Sequence, residues 1–133
     1  MAYLLDSNTC ITHLRSRGRH SISNRLRSAS PGTIFIATIV EAELLFGALR
    51  SADPARNLAE VRHFCGQLKM LAFDSDVAEE HARVRSELAS RGTPIGPYDS
   101  IIAATALVHQ LTVVTHNTAE FNRVAGLSIE DWE

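Results

Sequence analysis

Residues 96–116, GPYDSIIAATALVHQLTVVTH, decide the fold. Within them Ser100–Val108 is apolar almost all round, the pattern of a central helix buried on every side. Leu111–Thr115 (LTVVT) then has the β-branched content of a buried strand. Gly92–Pro97 ahead of the helix reads as a tight loop.

Working outward, the same alternation recurs. Toward the C-terminus, Ala119–Val124 reads as a brief helix and Leu127–Ile129 as a short edge strand. Toward the N-terminus, Asp74 caps a long helix to about Ser90, with Val77, Val84 and Leu88 at core-facing spacing. Leu68–Phe73 reads as a strand. Asp53-Pro54 opens a helix to about Gly66, with Asp as cap and Pro in the first helical position. Thr38 is the expected cap of a helix to about Arg50, preceded by the strand Thr33–Ala37 (TIFIA) and the turn Ser30-Pro31-Gly32. Asn8–Arg15 and Ile22–Ala29 read as short helices after a first strand at Ala2–Asp6. Strands alternating with helices imply an α/β fold, a three-layer α/β/α sandwich around a short parallel sheet, formed as one domain over 1–133. Ligands of such sheets sit beyond the carboxyl ends of the strands.

Composition narrows the class. A 45% apolar fraction is that of a globular protein. Nothing approaches the ~20 apolar residues of a membrane span or the layout of a signal peptide. Cys10 and Cys65 have no zinc or C-x-x-C spacing, so a reducing cytoplasm is expected. The six histidines form no H-E-x-x-H or H-x-H pair, and only His116 follows a strand at the expected active edge. Ser7 lies outside any G-x-S-x-G context, and no Gly-rich G-K-[ST] loop is present, which sets aside serine catalysis and nucleoside triphosphate hydrolysis. The net charge is −2, yet 12 of the 13 basic residues are Arg. Arg15, Arg17, Arg19, Arg25 and Arg27 crowd one stretch, either a solvated surface or a phosphate-tracking rim, with Arg15, Arg17 and Arg19 its candidate phosphate contacts.

Four carboxylates stand where elements end or begin: Asp6, Glu43, Asp99 and Glu120. Brought together they cannot all stay ionised without a cation, and an all-oxygen set suits Mg²⁺, with Mn²⁺ able to substitute. Asp6 and Asp99 each have a second reading, as helix cap and as partner of a helix N-terminus. Ser7 or Asn8 can equally cap the first helix and leave Asp6 free. Glu41 and Glu43 point to opposite sides of one helix, and periodicity does not choose between them.

The segments LLDSN (4–8), VEAELLFGA (40–48), GPYDSIIAATAL (96–107) and TVVTHNTAEFNRVAGLSIEDW (112–132) together resemble PIN-domain ribonucleases. More narrowly the chain resembles the VapC toxins of type II toxin–antitoxin pairs, in the group that cuts initiator tRNA in the anticodon stem-loop. The resemblance implies Glu43, four before Gly47, as the helix glutamate, and Asp6 and Asp99 as the principal metal ligands. It implies Glu120 or Asn117 for the fourth contact, with Asn8 and Thr115 as supporting polar residues. It further implies a Mg²⁺-dependent endoribonuclease, a homodimer, a VapB-type antitoxin filling the active groove, and RNA, in particular tRNA, as substrate.

Three rival readings fit the sequence less well. A haloacid-dehalogenase-type phosphatase needs a second Asp where Asn8 stands, and a later Lys, whereas Lys69 is the only lysine. A receiver domain needs a Lys after the last strand. The third is a non-catalytic RNA-binding module, which the presence of all four acids disfavours.

Overall fold

The computed structural model describes residues 1–133. In chain order its elements are β1 (Tyr3–Leu5), α1 (Ser7–Arg15), α2 (Ser21–Ser28), β2 (Ile34–Ala37), α3 (Thr38–Leu49) and α4 (Pro54–Gly66). Then follow β3 (Lys69–Leu71), α5 (Ser75–Ser90), α6 (Pro97–His109), β4 (Thr112–Val114), α7 (Thr118–Phe121) and β5 (Ile129–Glu130). The strands form one sheet in the order β3-β2-β1-β4-β5, every pair parallel. The seven helices flank it.

Successive strand residues face opposite sides of a sheet. Leu4 and Leu5 are nevertheless both 0% exposed, as are Val113 and Val114. Both faces are therefore covered, which explains why these strands are apolar runs rather than alternating ones. Fully burying each such side chain contributes about 1.5–3 kcal/mol. The chain builds outward from β1 to β3, then crosses back to place β4 on the other side of β1. The order reverses between β1 and β4, and the crevice beyond their carboxyl ends is where such a sheet accepts a ligand. Asp6 and Thr115 are the residues that leave those two strands.

Trp132 is buried against the other edge of this frame. Its ring meets Tyr3 edge-on at 5.0 Å, the Arg25 guanidinium stands 4.7 Å above it, and its carbonyl accepts from Ser21 Oγ. No helix is long and apolar enough to cross a membrane.

Several expected boundaries move. The central helix starts at Pro97, not Ser100. Gly96 is its cap position and Pro97 its first residue, where a missing N–H costs nothing and the fixed φ suits the helix. Asp99 thus lies inside the first turn. Thr38 does not cap α3; the helix follows β2 directly, with Ala37 at the cap position and no side-chain hydrogen bond. Asp6, rather than Ser7 or Asn8, caps α1 by accepting from Thr9 N. The brief helix ends at Phe121, because Asn122–Val124 continue only as turns, and the last strand is Ile129–Glu130 instead of Leu127–Ile129.

Candidate active site

Asp6 is 3% exposed. Its Oδ1 accepts from Thr9 N at 2.8 Å and its Oδ2 from Thr115 Oγ1 at 2.6 Å. Each oxygen keeps a lone pair for another partner. Thr115, fully buried at the end of β4, also accepts from the backbone N–H of Asn117 at 2.9 Å. Asn117 Nδ2 in turn donates to Glu120 Oε2 at 2.6 Å. One continuous set of hydrogen bonds therefore joins the acid after β1 to the acid on α7.

Glu120 Oε1 accepts from the backbone N–H of Gly96 at 2.5 Å. This amide, then the Asn117 amide, holds the Glu120 carboxyl below its ordinary range despite partial burial. The loop ahead of Gly96 is tied down by two arginines: Arg91 donates to the Arg123 carbonyl at 2.6 Å, and Arg123 donates to the Pro94 carbonyl at 2.9 Å. A Cβ on Gly96 would stand 3.6 Å from Glu120 Oε1 and 3.7 Å from Asp99 Oδ2, so both carboxylates crowd this point.

Glu43 turns toward the start of α1. Its Oε1 accepts from Ser7 Oγ at 2.6 Å. Glu41 instead faces Cys65, whose thiol burial and that carboxylate push up to about 11. Cys10, wholly buried, is raised by burial first and then by Asp6. Neither thiol is a nucleophile at neutral pH.

Asp99 reports on the whole group. Its pKa is raised to about 6, by burial first and then by the charges of Glu120 and Asp6, a hydrogen bond with Glu120 and the charge of Glu43. Asp6 and Asp99, 93 positions apart by numbering (99 − 6), thus belong to one electrostatic site. The influences on Asp99 are all unfavourable to its charge and none comes from a cation. Arg123 acts on Glu120 alone; otherwise four carboxylates with free lone pairs form the all-oxygen donor set that a hard divalent ion prefers. On that observation the residues fit such an ion.

Beside Glu43 a groove of about 280 Å³ opens between α1, α3 and α4, with Arg15, Arg17, Gly47, Asn57 and Glu60 on its walls. Arg15 and Arg17 thus share a cavity with one of the acids. Arg19 is exposed and lies outside the groove. Asn8 is also exposed, and its side chain makes no hydrogen bond to the acids; Ser7 holds Glu43 in its place. The role of Ser7 and that of the Gly96 amide were missing from the sequence reading. Contacts spanning 36 and 24 positions leave no local signal.

The histidines formed no metal-binding spacing in sequence, yet one is gathered into a group by the fold. His116, Asp131 and Glu133 place ligand atoms within 4.8 Å of one another, all on the exposed surface. The Asp131 hydrogen bond, then the Glu133 charge, raise the His116 pKa, which favours the imidazolium that pairs with these two carboxylates.

The family model described as PIN domain matches residues 3–127. The tRNA(fMet)-specific endonuclease VapC of Salmonella typhimurium is 41% identical over 132 residues, covering 99% of this chain and 98% of that protein. Ribonuclease VapC2 of Rickettsia felis is 32% identical over 133 residues, covering 100% and 99%. Among solved structures, DNA-bound VapBC from Salmonella typhimurium superposes with a TM-score of 0.94 at 40% identity, covering 100% of this chain and 99% of that one.

Proposed function

Since this chain belongs to the PIN-domain family, within its VapC group, we propose that it is a Mg²⁺-dependent endoribonuclease, the toxin of a VapBC-type pair. The single observation that carries the chemistry is the shared electrostatics of Asp99 with Asp6, Glu43 and Glu120. Relatives named tRNA(fMet)-specific endonucleases support initiator tRNA as the substrate.

Asp6, Glu43, Asp99 and Glu120 are the residues that would hold Mg²⁺. A divalent ion there supplies Lewis acidity toward phosphate oxygens and lowers the pKa of water. The protein's own contribution is positional and protonic. Thr115 and Thr9 fix both oxygens of Asp6, Ser7 fixes Glu43, and Gly96 with Asn117 fixes Glu120. Asp99 receives no N–H or O–H donor from the surrounding backbone or hydroxyl groups, and beside the ion it would orient the attacking water or take its proton. Arg15 and Arg17 line the groove next to Glu43 and are placed to meet phosphates of the same strand. Arg19 belongs to the same basic surface. A VapB-type antitoxin segment occupying the groove accounts for inhibition, and α3, with Phe46 and Leu49 exposed, is the face proposed for a homodimer. A cytoplasmic location is the setting for such a pair.

The deciding experiment incubates purified protein with initiator tRNA. Cleavage with Mg²⁺ or Mn²⁺, arrest by chelator, and 3′-hydroxyl ends are expected; 2′,3′-cyclic or 3′-phosphate ends formed without metal contradict the proposal. Hydrolysis of a chromogenic phosphate monoester instead of RNA would favour the phosphatase reading. Replacing Arg15, Arg17 and Arg19 together by Ala is expected to weaken RNA binding and to flatten its salt dependence by up to about three counterions. An unchanged slope returns these residues to a solvated surface.

A further inference from the structure

Exposed aromatic rings are few in this molecule. Phe46 lies on α3, but Tyr98 and Phe73, 49% and 47% exposed, both lie at the sheet edge that carries the acids. Tyr98 precedes Asp99 in the first turn of α6, and its hydroxyl makes no hydrogen bond within the protein. Phe73 leaves β3 immediately before Asp74, the cap of α5.

Tyr98 immediately precedes Asp99 on α6, and Phe73 is linked through His81 to Ser100, the residue that follows Asp99. Successive side chains on a helix are about 100° apart, so Tyr98 and Ser100 diverge to either side of the residue between them. On the Ser100 side, Ser100 Oγ and His81 Nδ1 are 3.3 Å apart. His81 packs edge-on against Phe73, centroids 5.9 Å apart at 75°. That contact fixes the orientation of the Phe73 ring while leaving about half of it open to solvent. Tyr98 is held by the helix backbone with its ring free. Neither ring completes the core, where Phe121 and Phe64 are buried.

We propose that Tyr98 and Phe73 are stacking surfaces for unpaired nucleobases on either side of the phosphodiester presented to Asp99. This rests on the hydrolase reading above, because the position of the phosphate defines where the adjoining bases lie. An unpaired base offers a π face irrespective of its identity, so such rings favour a loop or splayed strand over a continuous duplex. Asp99 itself repels the phosphate; stacking supplies attraction on both sides of it without adding a positive charge that would compete with the ion. The ligand is single-stranded RNA, and the site has two subsites.

The probe is a short RNA hairpin whose loop carries 2-aminopurine on either side of the cut position, titrated into the protein in Mn²⁺-free buffer and into the loaded enzyme. Stacking quenches the fluorophore. Tyr98→Leu and Phe73→Leu, which keep apolar bulk but remove the π face, are each expected to weaken binding roughly ten-fold and to abolish quenching on one side only. Tyr98→Phe is expected to restore both, and KM should rise more than kcat falls. Unchanged melting temperatures establish that the Leu variants are folded. Wild-type affinity and quenching in either Leu variant overturn the assignment of that ring. Unchanged RNA binding with weakened antitoxin binding overturns both and transfers the rings to a protein partner. If the wild-type protein quenches the hairpin but never cleaves RNA, the hydrolase reading fails while stacking stands.

Discussion

Asp99→Asn is expected to abolish RNA cleavage and to make the metal-free protein more stable. The two effects share one cause. Asp99 has its pKa raised from 3.8 to about 6 by burial and by three neighbouring carboxylates. Between those values the folded protein holds a proton that the unfolded chain has released. Stability therefore falls as pH rises through that window and stays lower above it. Asn keeps the shape and removes the charge. At pH 7.5 the variant should gain about 1 kcal/mol after allowance for solvent screening, seen as a melting temperature higher by roughly 3–6 °C. At pH 3.5, with Asp99 protonated in the folded state and mostly so in the unfolded one, the two proteins should melt nearly alike. Cleavage should drop by roughly 10³-fold, since the variant loses a ligand and a proton acceptor together. A melting temperature that falls at pH 7.5 would show that Asp99 is not held against its neighbours' charge, and retained cleavage would remove it from the catalytic set.

Asp6→Ala is expected to lose cleavage as fully but to move stability the other way. Asp6 is part of the fold as well as of the site. Its removal leaves Thr9 N without a cap, which costs about 0.5–2 kcal/mol. It also leaves the proton of the buried Thr115 hydroxyl without an acceptor, at a cost of about 1 kcal/mol, while the oxygen still accepts from Asn117 N. Relief of repulsion with Asp99 offsets part of this, for a net loss of about 2 kcal/mol in urea unfolding. The pKa of Asp99, followed by carboxyl NMR, should fall in the same variant because one of its repelling charges is gone. The opposite signs of the two stability changes separate an acid that the fold uses from one that the fold tolerates.

The legible parts of the sequence were those written locally. Leu4-Leu5 and Val113-Val114 announce strands buried on both faces, and the acids next to them follow from where those strands stop. Val77, Val84 and Leu88 mark the inner face of α5 correctly. The start of α6 was placed late because Gly96-Pro97 suits a loop as well as a helix entry; only the backbone distinguishes them. The choice between Glu41 and Glu43 could not be made from α3, which is apolar around much of its circumference. It turns on Ser7, 36 positions away, which donates to Glu43. The Gly96 amide that fixes Glu120, and the Arg91–Arg123–Pro94 contacts behind it, are likewise products of chain crossing rather than of pattern. Asn8 shows the converse. A polar residue two places beyond Asp6 matched the expected motif, yet its side chain projects into solvent.

Manganese located by anomalous diffraction in crystals soaked at millimolar Mn²⁺ tests the central claim most directly. The account predicts the strongest peak among Asp6, Glu43, Asp99 and Glu120, abolished in Asp99→Asn. A sole peak at His116, Asp131 and Glu133, with nothing between the four acids, would contradict it.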